Sequence, residues 1–156
     1  MSGSNPKLRR QARLSAVQAL YQMEVTGAKS KAVVFEFLNH RFGFDDEPGM
    51  VAADEAFFED LVEGVIRQQD EIDQALDIQL PETWPLRRLD MTLRALMRVG
   101  VYEIMQRPDV PGKVVINEYV TLASDFFNGK EPNMVNAVLD KIAKQVRSVE
   151  FGIPEA

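Results

Sequence analysis

The chain has 156 residues, enough for one domain with a buried core, and an ordinary soluble balance of 46% hydrophobic and 27% charged residues. It has no cysteine, which excludes disulfides and thiolate metal sites, and no apolar run of eighteen residues that could span a bilayer. The net charge of −6 argues at first against a nucleic-acid partner, but the charge is unevenly spread. Residues 1–30 carry Lys7, Arg9, Arg10, Arg13 and Lys29 against Glu24 alone, whereas residues 45–77 carry twelve acids against Arg67. The polar, basic opening lacks the apolar core of a signal peptide, so a cytoplasmic location is expected.

In chain order, Leu8, Ala12, Leu14, Val17, Leu20, Tyr21 and Val25 recur at three- and four-residue spacing and predict a helix over 7–26, ended by Gly27. A second, shorter helix is expected over 31–42, with Val34, Phe35, Leu38 and Phe42 on one side. The stretch 43–49, with Asp45, Asp46, Glu47, Pro48 and Gly49, reads as a loop. Asp54 is placed to cap a third helix whose apolar stripe is Phe57, Phe58, Leu61, Val62, Val65 and Ile66. A fourth is expected over 70–80, before Pro81 and Pro85 break the chain.

The most apolar helix is expected over 86–105, running through the centre of the fold. Pro108 and Pro111 stiffen the connector to a sixth helix, which starts at Pro111 or Gly112 and runs to about Phe127. Asn133 is read as the cap of a seventh helix over 134–146. Seven helices with short connections and no run of strands imply an all-α helical bundle.

Catalytic chemistry finds little support. His40 is the only histidine, so neither a zinc-binding His cluster nor a Ser-His-Asp arrangement can be built within one chain. The Asp45-Asp46-Glu47 loop lacks the alternating ligands and central glycine of a calcium loop, and no glycine-rich phosphate cradle occurs. No enzyme activity, metal or cofactor is expected. The paired acids of the third and fourth helices read as a solvated face.

The basic start carries more. At helical spacing Arg9 and Arg13 share a face, with Arg10 beside it. The macrodipole opposes positive charge at a helix N-terminus, so three arginines there point to an anionic partner more than to stability. Guanidinium groups fork onto phosphates and stack on unpaired bases. An anionic membrane surface competes as a partner, but the helix's apolar side is rich in Ala and Leu without Trp or Phe anchors, which fits a core and not lipid.

Residues 9–22, RRQARLSAVQALYQ, resemble the opening of the NusB family of transcription antitermination factors. Four further segments follow in the family's order: FEDLVEGV at 58–65, LMRVGVYE at 96–103, DVP at 109–111 leading into VINE at 115–118, and MVNAVLDK at 134–141. The resemblance implies a single RNA-binding domain over 1–156, made of helical subdomains at about 7–80 and 86–147. It implies binding of boxA-type single-stranded RNA together with the small-subunit ribosomal protein NusE, within an RNA polymerase antitermination complex that reads through terminators in ribosomal RNA operons. The RNA-binding residues so implied are Arg9, Arg10 and Arg13; Lys7 is added by proximity, Met134 by its place before the last helix, and Lys130 as a candidate in a loop, 128–131, that is not typical of the family.

The chain departs from the pattern at Gln11, where the family often has another arginine, and at Met134, where it often has an aromatic that offers a firmer stack than a thioether. Asn117-Glu118 and Val135-Asn136 are expected to lock neighbouring helices by hydrogen bonds. Trp84 is expected to anchor the core. Arg88, Arg94 and Arg98 are expected to pair with acids of the third and fourth helices. A homodimer stays open, as does a non-catalytic helical interaction module that has lost RNA binding. A similar helical domain occurs fused to RNA methyltransferases, but a chain ending at Ala156 leaves no room for that enzyme.

Overall fold

The computed structural model describes residues 5–44 and 47–154; Asp45 and Asp46 of the acidic loop lie outside them. Seven α-helices follow in order: α1 Pro6–Thr26, α2 Ser30–Glu36, α3 Glu55–Arg67, α4 Gln69–Gln79, α5 Met91–Gln106, α6 Gly112–Phe126 and α7 Glu131–Val146. Among the described residues no helix is long and apolar enough to cross a membrane, and the only strand-like pairing is an isolated bridge between Phe42 and Val51.

The chain divides into two units, residues 1–67 and 68–156. The boundary falls between Arg67 and Gln68, so α4 packs with α5 and α7 in the second unit, whereas the sequence reading carried the first subdomain to about 80.

In the first unit α1 lies chiefly on α3. Asn5 caps α1, its side chain accepting from the Lys7 N–H at 2.9 Å, and Pro6 follows where a missing N–H costs nothing. Gly27, at φ 74°, ends the helix in the left-handed conformation that glycine adopts without strain. Behind α2 the chain does not continue as a regular α-helix to Phe42. It widens into a π turn over Phe37–Arg41, closed by the Phe42 N–H on the Phe37 carbonyl. That extra residue turns Phe37 and Phe42 inward together, with ring centroids 5.2 and 4.9 Å from that of Phe58. Each such fully buried ring contributes about 1.5–3 kcal/mol by leaving water.

The second unit is built around α5, which packs on α4, α6 and α7. α5 starts later than the apolar pattern implies. Leu86–Arg88 form a separate 3-10 turn, and Asp90 caps α5 by accepting from the Thr92 and Leu93 N–H groups. Gly100 sits where a Cβ would lie 3.1 Å from Leu139 Cδ1 and 3.3 Å from Tyr119 Cγ, so glycine is what lets α6 and α7 approach α5. The buried Glu103 accepts from the Tyr119 hydroxyl at 2.8 Å. α7 begins at Glu131 with Pro132 in its first turn, so Asn133 lies inside the helix and does not cap it. Arg147, just past α7, donates to the carbonyls of Glu103, Ile104, Arg107 and Val110; those of Glu103 and Arg107 also accept the Arg107 and Val110 N–H groups, so the guanidinium adds a second donor at the end of α5 and its connector.

Candidate nucleic-acid interface

The first turn of α1 contains no acid, and its leading amides are capped by the Asn5 side chain. Lys7 and Arg10 are exposed. Arg9 and Arg13, one turn apart, point instead toward α3. Their guanidinium carbons lie 4.5 and 5.1 Å from the centroid of the Phe57 ring, within range for a cation over an aromatic face. Arg13 keeps 4% of its surface, and Phe57 keeps 2%. Arg9 also approaches Asp54, Nε to Oδ2 at 3.5 Å. Gln11 donates to the Ser15 hydroxyl at 3.0 Å.

Asp54 is fixed from two sides. Its Oδ1 accepts from the Phe57 N–H at 3.1 Å, capping α3 as its position in the sequence implied, and its own N–H donates to the Leu8 carbonyl at 3.1 Å. The arginine cluster is therefore split. Arg13 is packed into the α1–α3 contact, Arg9 is half-buried between Phe57 and Asp54, and Arg10 and Lys7 face solvent. The partner roles of Phe57 and Asp54 escaped the sequence reading, which took one as an apolar stripe position and the other as a cap.

The remaining two expected residues lie in the second unit, at the start of α7. Lys130 is exposed, and the Met134 N–H donates to its carbonyl at 3.1 Å. Met134 is 9% exposed and packs inward. Among the described residues no group of His, Asp or Glu could hold a metal ion.

Three structural expectations resolve differently. Arg98 pairs with α4 as expected, its Nε and Nη2 on the two Asp73 oxygens at 2.8 and 3.0 Å, but Arg94 turns to the carbonyls of Leu86, Arg87 and Leu89, and Arg88 is exposed. Trp84 is half-buried at the wall of a shallow pocket with Pro85, Arg88 and Leu93, not sealed in the core. Asn117 and Asn136 do not lock α6 to α7. Both are exposed along a groove of about 470 Å³ between those helices, and neither carboxamide has a hydrogen-bond partner among the described residues.

Comparison with known proteins gives these features a context. The NusB family model matches residues 10–144. The transcription antitermination protein NusB of Maricaulis maris is 52% identical over 96% of this chain and 94% of its own length. The NusB of Caulobacter vibrioides is 51% identical over 94% of this chain and 99% of its own. Among solved structures, Thermotoga maritima NusB superposes with a TM-score of 0.76 at 26% identity, covering 93% of this chain and 97% of that one. A crystal structure of antitermination factors NusB and NusE in complex with double-stranded RNA shares the fold, with a TM-score of 0.66 at 24% identity over 89% of this chain and 98% of that one. The seven-helix fold, the match over residues 10–144 and half-identity to curated relatives along nearly the whole chain agree: the chain belongs to the NusB family of non-enzymatic transcription antitermination factors.

Proposed function

We propose that this chain binds boxA-type single-stranded RNA jointly with NusE, in the cytoplasm, as part of the RNA polymerase complex that reads through terminators in ribosomal RNA operons. The observation that carries this reading is the cation cluster on the first two turns of α1, set in a chain of net charge −6. In this reading Lys7 and Arg10 take phosphates directly, Arg9 takes one from its half-buried position, and Arg13 holds the array against α3. Lys130 adds a cation at the start of α7, and Met134 supports that turn from beneath. A solved relative of the same fold is complexed with NusE and RNA, which supports the pairing of partners. Within the second unit, the exposed acids of α4, Asp70, Glu71 and Asp77, suit a basic protein such as a ribosomal one.

Titration of a labelled boxA RNA, with and without NusE, tests the proposal. The Lys7→Ala/Arg10→Ala double variant should bind more weakly and lose about 1.4 from the slope of log affinity against log salt, two phosphates at about 0.7 each for a single strand. Equal affinity and slope for both proteins would remove the start of α1 as the RNA surface, and no binding by either would leave the chain a helical interaction module.

A further inference from the structure

Arg9 has an anionic neighbour supplied by the N-terminus of another helix, at the surface. Arg9 and Asp54 keep 15% and 18% of their side-chain surface, so solvent, and an anion in it, reaches both. Their 3.5 Å contact is at the outer limit for a hydrogen bond and well short of the 2.7–2.9 Å of a strong charge-assisted one. The two partners of this loose pair are held by different means. Asp54 is fixed by its cap on the Phe57 N–H, and the Arg9 guanidinium is held 4.5 Å from the Phe57 ring centroid. A ring attracts a cation without regard to which anion is beside it. The anion beside Arg9 can therefore change while the guanidinium stays in place.

We infer that Asp54 is an internal competitor for Arg9 that sets the affinity for RNA, and that Phe57 is the positioning residue that keeps the guanidinium in place as an RNA phosphate replaces the carboxylate. The inference rests on the RNA-binding reading of α1 and deepens it. The aspartate acts in two ways at once: its charge occupies the arginine before binding, and afterwards it repels the phosphate that has taken its place. Both effects weaken binding. Neither needs Asp54 to leave its cap.

The substitution Asp54→Asn isolates the charge, because asparagine caps a helix as well as aspartate does. Asp54→Ser, another good cap, serves as a second variant should one of them fold poorly, with circular-dichroism melts reporting folding for each. Binding of a fluorescein-labelled boxA RNA oligonucleotide is followed by anisotropy over a range of salt. Asp54→Asn should tighten binding about three- to ten-fold near 0.1 M salt, the range expected for removing one carboxylate a few ångströms from a phosphate at a protein surface. The gain should shrink as salt rises, because screening weakens the repulsion that Asp54 exerts on the phosphate. Glu55→Gln, which removes the exposed carboxylate next in the chain, should change affinity less than about two-fold. In an Arg9→Ala background, Asp54→Asn should lose its effect, and Phe57→Leu should weaken binding no further.

Wild-type binding with no gain from Asp54→Asn or Asp54→Ser overturns the inference alone. So does a gain that matches Glu55→Gln or persists without Arg9, which would assign it to the general field. No binding of RNA by the wild-type chain at low salt removes the RNA-binding reading, and this inference with it.

Discussion

The division of the arginine cluster makes a sharp prediction about two neighbours that look alike in sequence. Arg13 is 4% exposed with its guanidinium 5.1 Å from the Phe57 centroid, whereas Arg10 is exposed. Arg13→Ala removes a desolvated cation–π contact of about 2 kcal/mol. It also removes two packed methylenes, Cγ and Cδ, worth about 0.8 kcal/mol each. Against this stand the side-chain entropy regained, about 1.5–2 kcal/mol, and relief from desolvating a guanidinium. The net expectation is a loss of about 1–2 kcal/mol, which for a chain of this length lowers the melting temperature by about 2–8 °C. Arg10→Ala, at the surface, should change stability by less than about 0.5 kcal/mol while weakening RNA binding. Thermal melts followed by circular dichroism at 222 nm, paired with RNA titration below the transition, separate the two. Arg13→Ala melting within about 1 °C of wild type would refute the packing argument, as would an Arg10→Ala loss of the same size.

Two further predictions concern the second unit. Arg147→Ala should cost about 2–4 kcal/mol, because it strips charged donors from the carbonyls of Glu103, Ile104, Arg107 and Val110 with a side chain only 7% exposed; a urea midpoint unchanged from wild type would contradict this. Gly100→Ala should destabilise by about 1 kcal/mol, the gain of about 1 in helix propensity being outweighed by overpacking against Leu139 and Tyr119. A more stable Gly100→Ala protein in urea titration would show that α7 yields.

Apolar periodicity placed all seven helices, because each buries one stripe and the stripe recurs at helical spacing. What it missed has local causes. A single inserted residue at the π turn leaves the pattern of Phe37 and Phe42 nearly intact, so only the backbone reveals it. The start of α5 was hidden because Leu86 and Leu89 are buried without being in the helix, and apolar character crosses the true cap at Asp90. At α7 the proline at position 132 was the better start signal than Asn133, since proline suits the first helical turn. For the site, the shared face of Arg9 and Arg13 was legible from spacing. That this face meets Phe57 and Asp54 was not, because the contact joins residues more than forty positions apart, which one unaligned sequence does not reveal.

The placement of Asp54 bears on why α1 tolerates such a start at all. Three arginines in the opening turns oppose the helix dipole, at a few tenths of a kcal/mol or more each. No acid of α1's own first turn offsets them. The compensating charge comes instead from α3, whose cap carboxylate lies beside Arg9 and whose backbone N–H is tied to the Leu8 carbonyl. One aspartate thus serves the N-termini of two helices, satisfying amides on α3 and offsetting cations on α1. Placed on α3, it reaches Arg9, while Lys7 and Arg10 stay exposed. The expected outcome is that stability and RNA affinity respond to different residues of one cluster, with exposure, more than charge, separating Arg13 from Arg10 in paired melts and titrations.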